Sequence, residues 1–147
     1  MRGSIANHET VVNQRPLLLG LLGDAHTRSG NPTEALTHLT EALSLIDRTQ
    51  ERWFEAELHR LRAEALLAGS PLGAAEAEAS LRRALAVARK QGAKFWELCA
   101  ALTLARLWLN QGKRREARDL LAPVYGWFTE GFDTRDLKEA KRLLDEL

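Results

Sequence analysis

The sequence is short of most residues that build sheets, cross-links or membrane spans. Among 147 residues it has 4 Val and 2 Ile, and aromatics supply only 6%. Those are the side chains a pleated surface favours, so a sheet protein is excluded. The single cysteine, Cys99, has no partner for an intrachain disulfide, and a reducing compartment, the cytoplasm, is the expected setting. No apolar run approaches the ~18 residues expected of a membrane span. Leu17 to Leu22 follows Arg15 as a signal-peptide core would, but it is too short, runs into Asp24 and lacks a small-residue cleavage site. Neither sign of charge is in excess: Lys+Arg number 21, Asp+Glu 20, and the formal charge is +1. A nucleic-acid partner calls for a basic excess or stripe. Neither a nucleic acid nor a membrane is therefore expected as a partner. With 4 Pro and 10 Gly, the chain is also neither collagenous nor of the low-complexity kind.

What is abundant is Leu and Ala: 27 and 22 residues, a third of the chain. These are the two best apolar helix formers. The length suits one domain with a proper core. Met1 to Arg15 is mixed and polar without a sustained period. It reads as an N-terminal segment without regular structure, its first residues either a natural start or a vector remnant. Residues 16–147 form the expected domain.

Punctuation divides that domain into seven helices. Pro16 opens the first, which runs to about Ser29, and Gly30-Asn31-Pro32 ends it. Asn31 or Thr33 can cap the second, where Ala35, Leu36, Leu39, Ala42, Leu43 and Ile46 keep a 3.6-residue period. The third is expected from Glu51 to Ala68, ended by Gly69-Ser70-Pro71. The fourth runs from Ala74 to Gln91, the fifth from Phe95 to Gln111 and the sixth from Arg114 to Glu130. Asp133 or Thr134 caps a final helix to Leu147. Each helix reads as amphipathic, with one stripe to bury against neighbours.

The even-numbered helices share a pattern. Ala35-Leu39-Ala42, Ala77-Leu81-Ala84 and Ala117-Leu121-Val124 place a small residue, a large one four on and a small or apolar one three further, at offsets of 42 and 40. A Gly stands five residues before the Ala in the outer copies (Gly30 and Gly112), and Leu22-Gly23 and Leu104-Ala105 lie upstream of them. This resembles the tetratricopeptide repeat, with Leu19, Leu22, Gly23, His26, Gly30, Ala35, Leu39 and Ala42 on its motif positions in the first copy. In the third copy they are Ala101, Leu104, Ala105, Trp108, Gly112, Ala117, Leu121 and Val124. The spacing exceeds the family's 34, its closing Pro is missing, and the middle copy has a longer turn around Gly69 to Gly73. The resemblance implies an all-α, right-handed superhelix (solenoid) of about three hairpins, over residues 16–50, 51–92 and 93–131, with a capping helix over 132–147 whose outer face is polar. Residues from Phe54 onward are also similar to the C-terminal helical tail of large bacterial ATPase and nucleotide-cyclase-like regulators. The chain carries no Walker sequence, so the likeness implies the sensing or scaffolding part, without an enzyme.

Chemistry-bearing residues are sparse. Glu34 and His38, and Glu55 and His59, are pairs four apart on a helix, but two ligands make no metal site, and there is no H-E-x-x-H. Neither a metal nor another cofactor is expected. His26 occupies a packing position. Cys99, beside Ala100 and Ala101, reads as a small buried residue. Trp53-Phe54 and Phe95-Trp96 are adjacent aromatics that cannot both face one core, so one of each pair is expected between hairpins. Lys113-Arg114-Arg115 reads as the solvated start of a helix. In the repeat family the groove is lined by first-helix positions. That resemblance points to Leu17, Asp24, Thr27 and Arg28; to Glu57, Arg60 and Glu64; and to Leu102, Arg106, Leu109 and Asn110. Arginines there can hold a carboxylate through two hydrogen bonds, whereas the plainer reading is a solvated charged face. The expected function is non-catalytic: binding of a protein or peptide partner in a concave groove. The alternatives are an effector-sensing helical domain with a closed apolar pocket and a homo-oligomerisation element using Val11, Val12, Trp127 and Phe132.

Overall fold

The computed structural model describes residues 14–147, and all regular structure in this range is helical. The helices are α1 (Arg15–Arg28), α2 (Pro32–Thr49), α3 (Glu55–Gly69), α4 (Ala74–Gln91), α5 (Lys94–Asn110), α6 (Arg114–Trp127) and α7 (Arg135–Glu146), with a 3₁₀ turn at Pro71–Gly73. The expectations for Val11 and Val12 and for most of the N-terminal segment fall outside the described residues. No helix among those described is long and apolar enough to cross a membrane.

Local chemistry explains most of the breaks. Gly92 and Gly112 take φ of +65° and +79°, the left-handed conformation that glycine adopts without steric cost. Gln50 ends α2 at φ +62° without that freedom; its side-chain amide donates 2.7 Å to the Asp47 carbonyl, one of the helix's last acceptors. This left-handed cap moves the start of α3 from the expected Glu51 to Glu55. Likewise α6 stops at Trp127 rather than Glu130. Pro123 and Gly126 both weaken its last turn. The expected side-chain caps do not form. Asn31 stands at the N-cap of α2 without capping it. Thr134 precedes α7, but its hydroxyl donates 2.7 Å back to the Gly131 carbonyl.

Each helix packs on the next in sequence. In addition α1 touches α3, α3 touches α5, and α5 touches α7. The odd-numbered helices thus form one layer, and α2, α4 and α6 lie against it. The repeat positions Ala35, Leu39, Ala42, Ala77, Leu81, Ala84, Ala117, Leu121 and Val124 are all buried. Small residues set the crossings. A Cβ on Gly23 would lie 2.8 Å from Leu39 of α2, and one on Gly20 would lie 2.8 Å from Leu58 of α3. The apolar core has two parts joined through α3, which gives Leu58 and Leu61 to the first and Ala63 to the second.

The single-stripe expectation fails for α3 and α5. Residues Glu55 to His59 and Glu97 to Ala105 are buried on every side of their helices, because each of these helices has neighbours before, after and beside it. Of the aromatic pairs, Phe54 is buried and meets Trp96 edge-on at 5.6 Å between ring centroids, which links α3 to α5. Trp53 and Phe95 remain exposed.

Candidate functional site

The face of the odd-numbered layer gathers charge from four helices. Arg28 of α1, Arg60 and Glu64 of α3, and Arg106 of α5 line one cleft of about 140 Å³. Cys99, Leu102 and Thr103 of α5 form its floor, and Arg135, Asp136 and Glu139 of α7 its far wall. Spacings of three and four put Glu57, Arg60 and Glu64 on one side of α3.

Most of the arginines expected to await a ligand are already engaged. Arg60 is largely buried. It grips both carboxylate oxygens of Glu57, bonds Glu64 at 2.8 Å and reaches the Thr103 hydroxyl at 3.5 Å. Burial alone would lower its pKa, but the hydrogen bonds and charge of Glu57, with the charge of Glu64, overcome this and raise it, so the guanidinium stays charged. Burial likewise holds the Glu57 carboxyl above the ordinary range, against the pull of Arg60. Arg28 pairs with Asp24 at 3.2 Å, and Arg106 with Glu139 at 2.5 Å. The Arg106 hydrogen bond leads in lowering the Glu139 pKa, against burial and with help from Arg135.

Six expected groove residues do not line the cleft. Asp24 and Glu57 are engaged as the partners of Arg28 and Arg60. Asn110 is exposed at the end of α5 and does not line the cleft. Leu17 and Leu109 are half-buried against the core. Thr27 turns its hydroxyl back to donate to the Gly23 carbonyl at 3.1 Å. Sequence reasoning missed the contribution of α7. Its charges read as a polar outer surface, yet Asp136 and Glu139 face the cleft. The helix periodicity of Leu137, Ala140 and Leu143 marks the buried side of α7, but nothing local says which neighbour its flank meets.

Cys99 and the histidines of the described residues sit in packed or paired settings. Cys99 is 9% exposed, and its thiol is pushed up to about 12 by burial and then by Glu57 and Asp136. Such a thiol is protonated at neutral pH and is a poor nucleophile. His26 stacks on His38 at 5.1 Å between centroids and places Nδ1 3.3 Å from Glu34. So Glu34 pairs with His26, not with His38 as the spacing suggested. His59 lies 3.5 Å from Glu55, both buried. Among the described residues no group of three His, Cys, Asp or Glu side chains could hold a metal ion. Trp108, the counterpart of His26 in the repeat frame, donates from its indole to Glu78 at 2.8 Å and carries Arg82 over its ring.

One apolar surface had no signal in the sequence reading. Leu18, Leu21 and Leu22 of α1 are 61%, 54% and 43% exposed. Their run alternates with Leu17 and Leu19, which pack inward, so the pattern reads as a broad buried stripe. Compared with family models, curated proteins and solved structures, the chain matches none.

Proposed function

We propose that this chain is a non-catalytic interaction module, a tetratricopeptide-like solenoid of three hairpins (α1–α2, α3–α4, α5–α6) capped by α7. The order of contacts supports that architecture: each hairpin is joined to the next through its first helix. The module binds a peptide or partner-protein segment across the face of the odd-numbered helices. The observation that carries this reading is the convergence of Arg28, Arg60, Arg106 and Arg135, from four helices, on one cleft. Arg60 with Glu57 and Glu64 is the fixed scaffold. Arg28, Arg106 and Arg135 are the outer, exchangeable arms, since exposed ion pairs contribute only about 0–1 kcal/mol each and can be traded for a partner's carboxylates at little loss. A preformed helical face lowers the ordering cost of binding. The setting implied by the resemblance is a bacterial regulator in the cytoplasm.

Effector sensing fits this face less well. A cleft of about 140 Å³ is below the ~300–1,000 Å³ of usual small-molecule pockets. A second reading, association between copies of the chain, draws on the exposed leucines of α1 and is checked by light scattering over a range of concentrations. The test of the main reading is selection from a displayed peptide library, followed by affinity measurement with Arg28→Glu/Arg106→Glu/Arg135→Glu. Selected peptides should lose at least about tenfold in affinity, about 1.4 kcal/mol, while the thermal midpoint stays within a few degrees. Failure to select any sequence, or equal binding by the variant, overturns the reading.

A further inference from the structure

A second charged cleft lies at the end of the stack where α3 begins and α4 finishes. Arg52 and Glu55 from the start of α3, and Arg83, Val87, Lys90 and Gln91 from α4, enclose about 540 Å³. The two helix ends are tied by the Gln91 amide, which donates 2.8 Å to the Arg52 carbonyl. Three cations therefore face one carboxylate, and that carboxylate is taken. Glu55 accepts from Arg52 at 3.2 Å and sits 3.5 Å from His59. Arg52 also pairs with Asp47 at 3.1 Å, outside the cleft. Arg83 and Lys90, by contrast, have no ion-pair or hydrogen-bond partner among the described residues.

Two exposed aromatic residues stand near the same helix ends, one next to Arg52 in the chain and one just after α4. Trp53, next to Arg52, is 43% exposed and Phe95 is 48% exposed. They are connected through rings beneath them: Trp53 to Phe54 at 5.3 Å, Phe54 to Trp96 at 5.6 Å, and Trp96 to Phe95 at 5.1 Å. Lys94, adjoining Phe95, lies 5.5 Å from the ring centre of Trp127. Aromatic side chains and arginine are enriched at interaction surfaces.

We propose that this end of the stack binds an acidic peptide segment bearing aromatic or large apolar side chains. Its carboxylates enter the cleft against Arg83 and Lys90, and its apolar groups lie on Trp53 and towards Phe95. The charge is complementary to carboxylates, and the cations line a recess that admits side chains rather than standing out from a flat plane, as a membrane surface requires. A polyphosphate backbone draws on a wider basic field than a chain of net charge +1 supplies. This surface shares no residue with the cleft of the odd-numbered layer, so the two stand or fall separately.

The test uses the full chain and a fluorescein-labelled peptide of six glutamates followed by two phenylalanines, with a glutamine counterpart. Phosphatidylserine vesicles and a single-stranded oligonucleotide complete the set. Anisotropy should show binding of the acidic peptide, weakened by added salt, and little binding of the glutamine peptide. Arg83→Glu/Lys90→Glu should reduce affinity at least tenfold. Trp53→Ala should reduce it severalfold with the salt dependence kept. Lys138→Glu/Arg142→Glu, an equal charge change on α7, should leave it within twofold. Absence of binding, equal loss from both charge reversals, or binding to the vesicles or oligonucleotide in preference to the peptide overturns the proposal.

Discussion

Gly23 of α1 and Leu39 of α2 meet so closely that a Cβ on the glycine would lie 2.8 Å from the leucine Cγ and 3.3 Å from the Ala35 carbonyl oxygen. The first hairpin closes on this contact. Gly23→Ala should therefore destabilise the fold by about 1–3 kcal/mol through overpacking, although alanine is the better helix former. Gly126 is the internal control: it is helical, with nothing within 4 Å of its would-be Cβ. Gly126→Ala should stabilise by about 0.5–1 kcal/mol. Urea unfolding measures both, and equal signs for the two would refute the close-approach account.

The pair Arg60–Glu57 predicts a non-additive cycle. Both groups are largely buried. Arg60→Met leaves an unpaired carboxylate inside the helix layer and should cost about 3–5 kcal/mol. Glu57→Gln/Arg60→Met removes both charges and should recover most of that loss. A double variant no better than Arg60→Met alone would show that the arginine acts through packing.

His59 makes stability depend on pH in a defined direction. Burial lowers its pKa below 6.5, opposed by Glu55 and reinforced by Arg83 and Arg62. The unfolded chain then binds the proton more readily than the folded one. Stability is full above about pH 6.5 and falls as pH drops from there through the folded value, with a slope of at most about 1.4 kcal/mol per pH unit. His59→Gln should flatten this part of the curve. The comparison should be the difference between the two proteins, since Glu57, with its raised pKa, acts with the opposite sign at lower pH. An unchanged slope would place the dependence on another group.

Cys99 should be chemically silent while the fold persists. With its pKa near 12 and its side chain buried, the thiol should react with an aromatic disulfide at pH 8 far more slowly than in urea-unfolded protein. Reaction at the rate of a free thiol would mean that the α5 face opens readily.

Much of this architecture is a local matter and was legible residue by residue. Leu and Ala in place of Val and Ile select helix, and Gly30, Gly92 and Gly112 mark breaks because left-handed backbone suits glycine. The triplets beginning at Ala35, Ala77 and Ala117 fall on buried stripes because the helix repeats every 3.6 residues. Helix ends were less legible where the stop depends on a residue such as Gln50, whose left-handed turn no composition rule favours.

A set of helices, their order and the inward side of most of them follow from neighbouring residues alone, since propensity and periodicity act within about four residues. Which charges meet is settled by the packing of distant helices. Arg106 finds Glu139 across 33 residues, Arg60 reaches Thr103 across 43, and the spare charge of Arg83 and Lys90 is visible only once α3 and α4 are set side by side. That packing also leaves α3 and α5 buried on every side while Leu18, Leu21 and Leu22 stay exposed. Burial is a property of how many neighbours a helix acquires in the stack, and no residue carries that number in its own side chain.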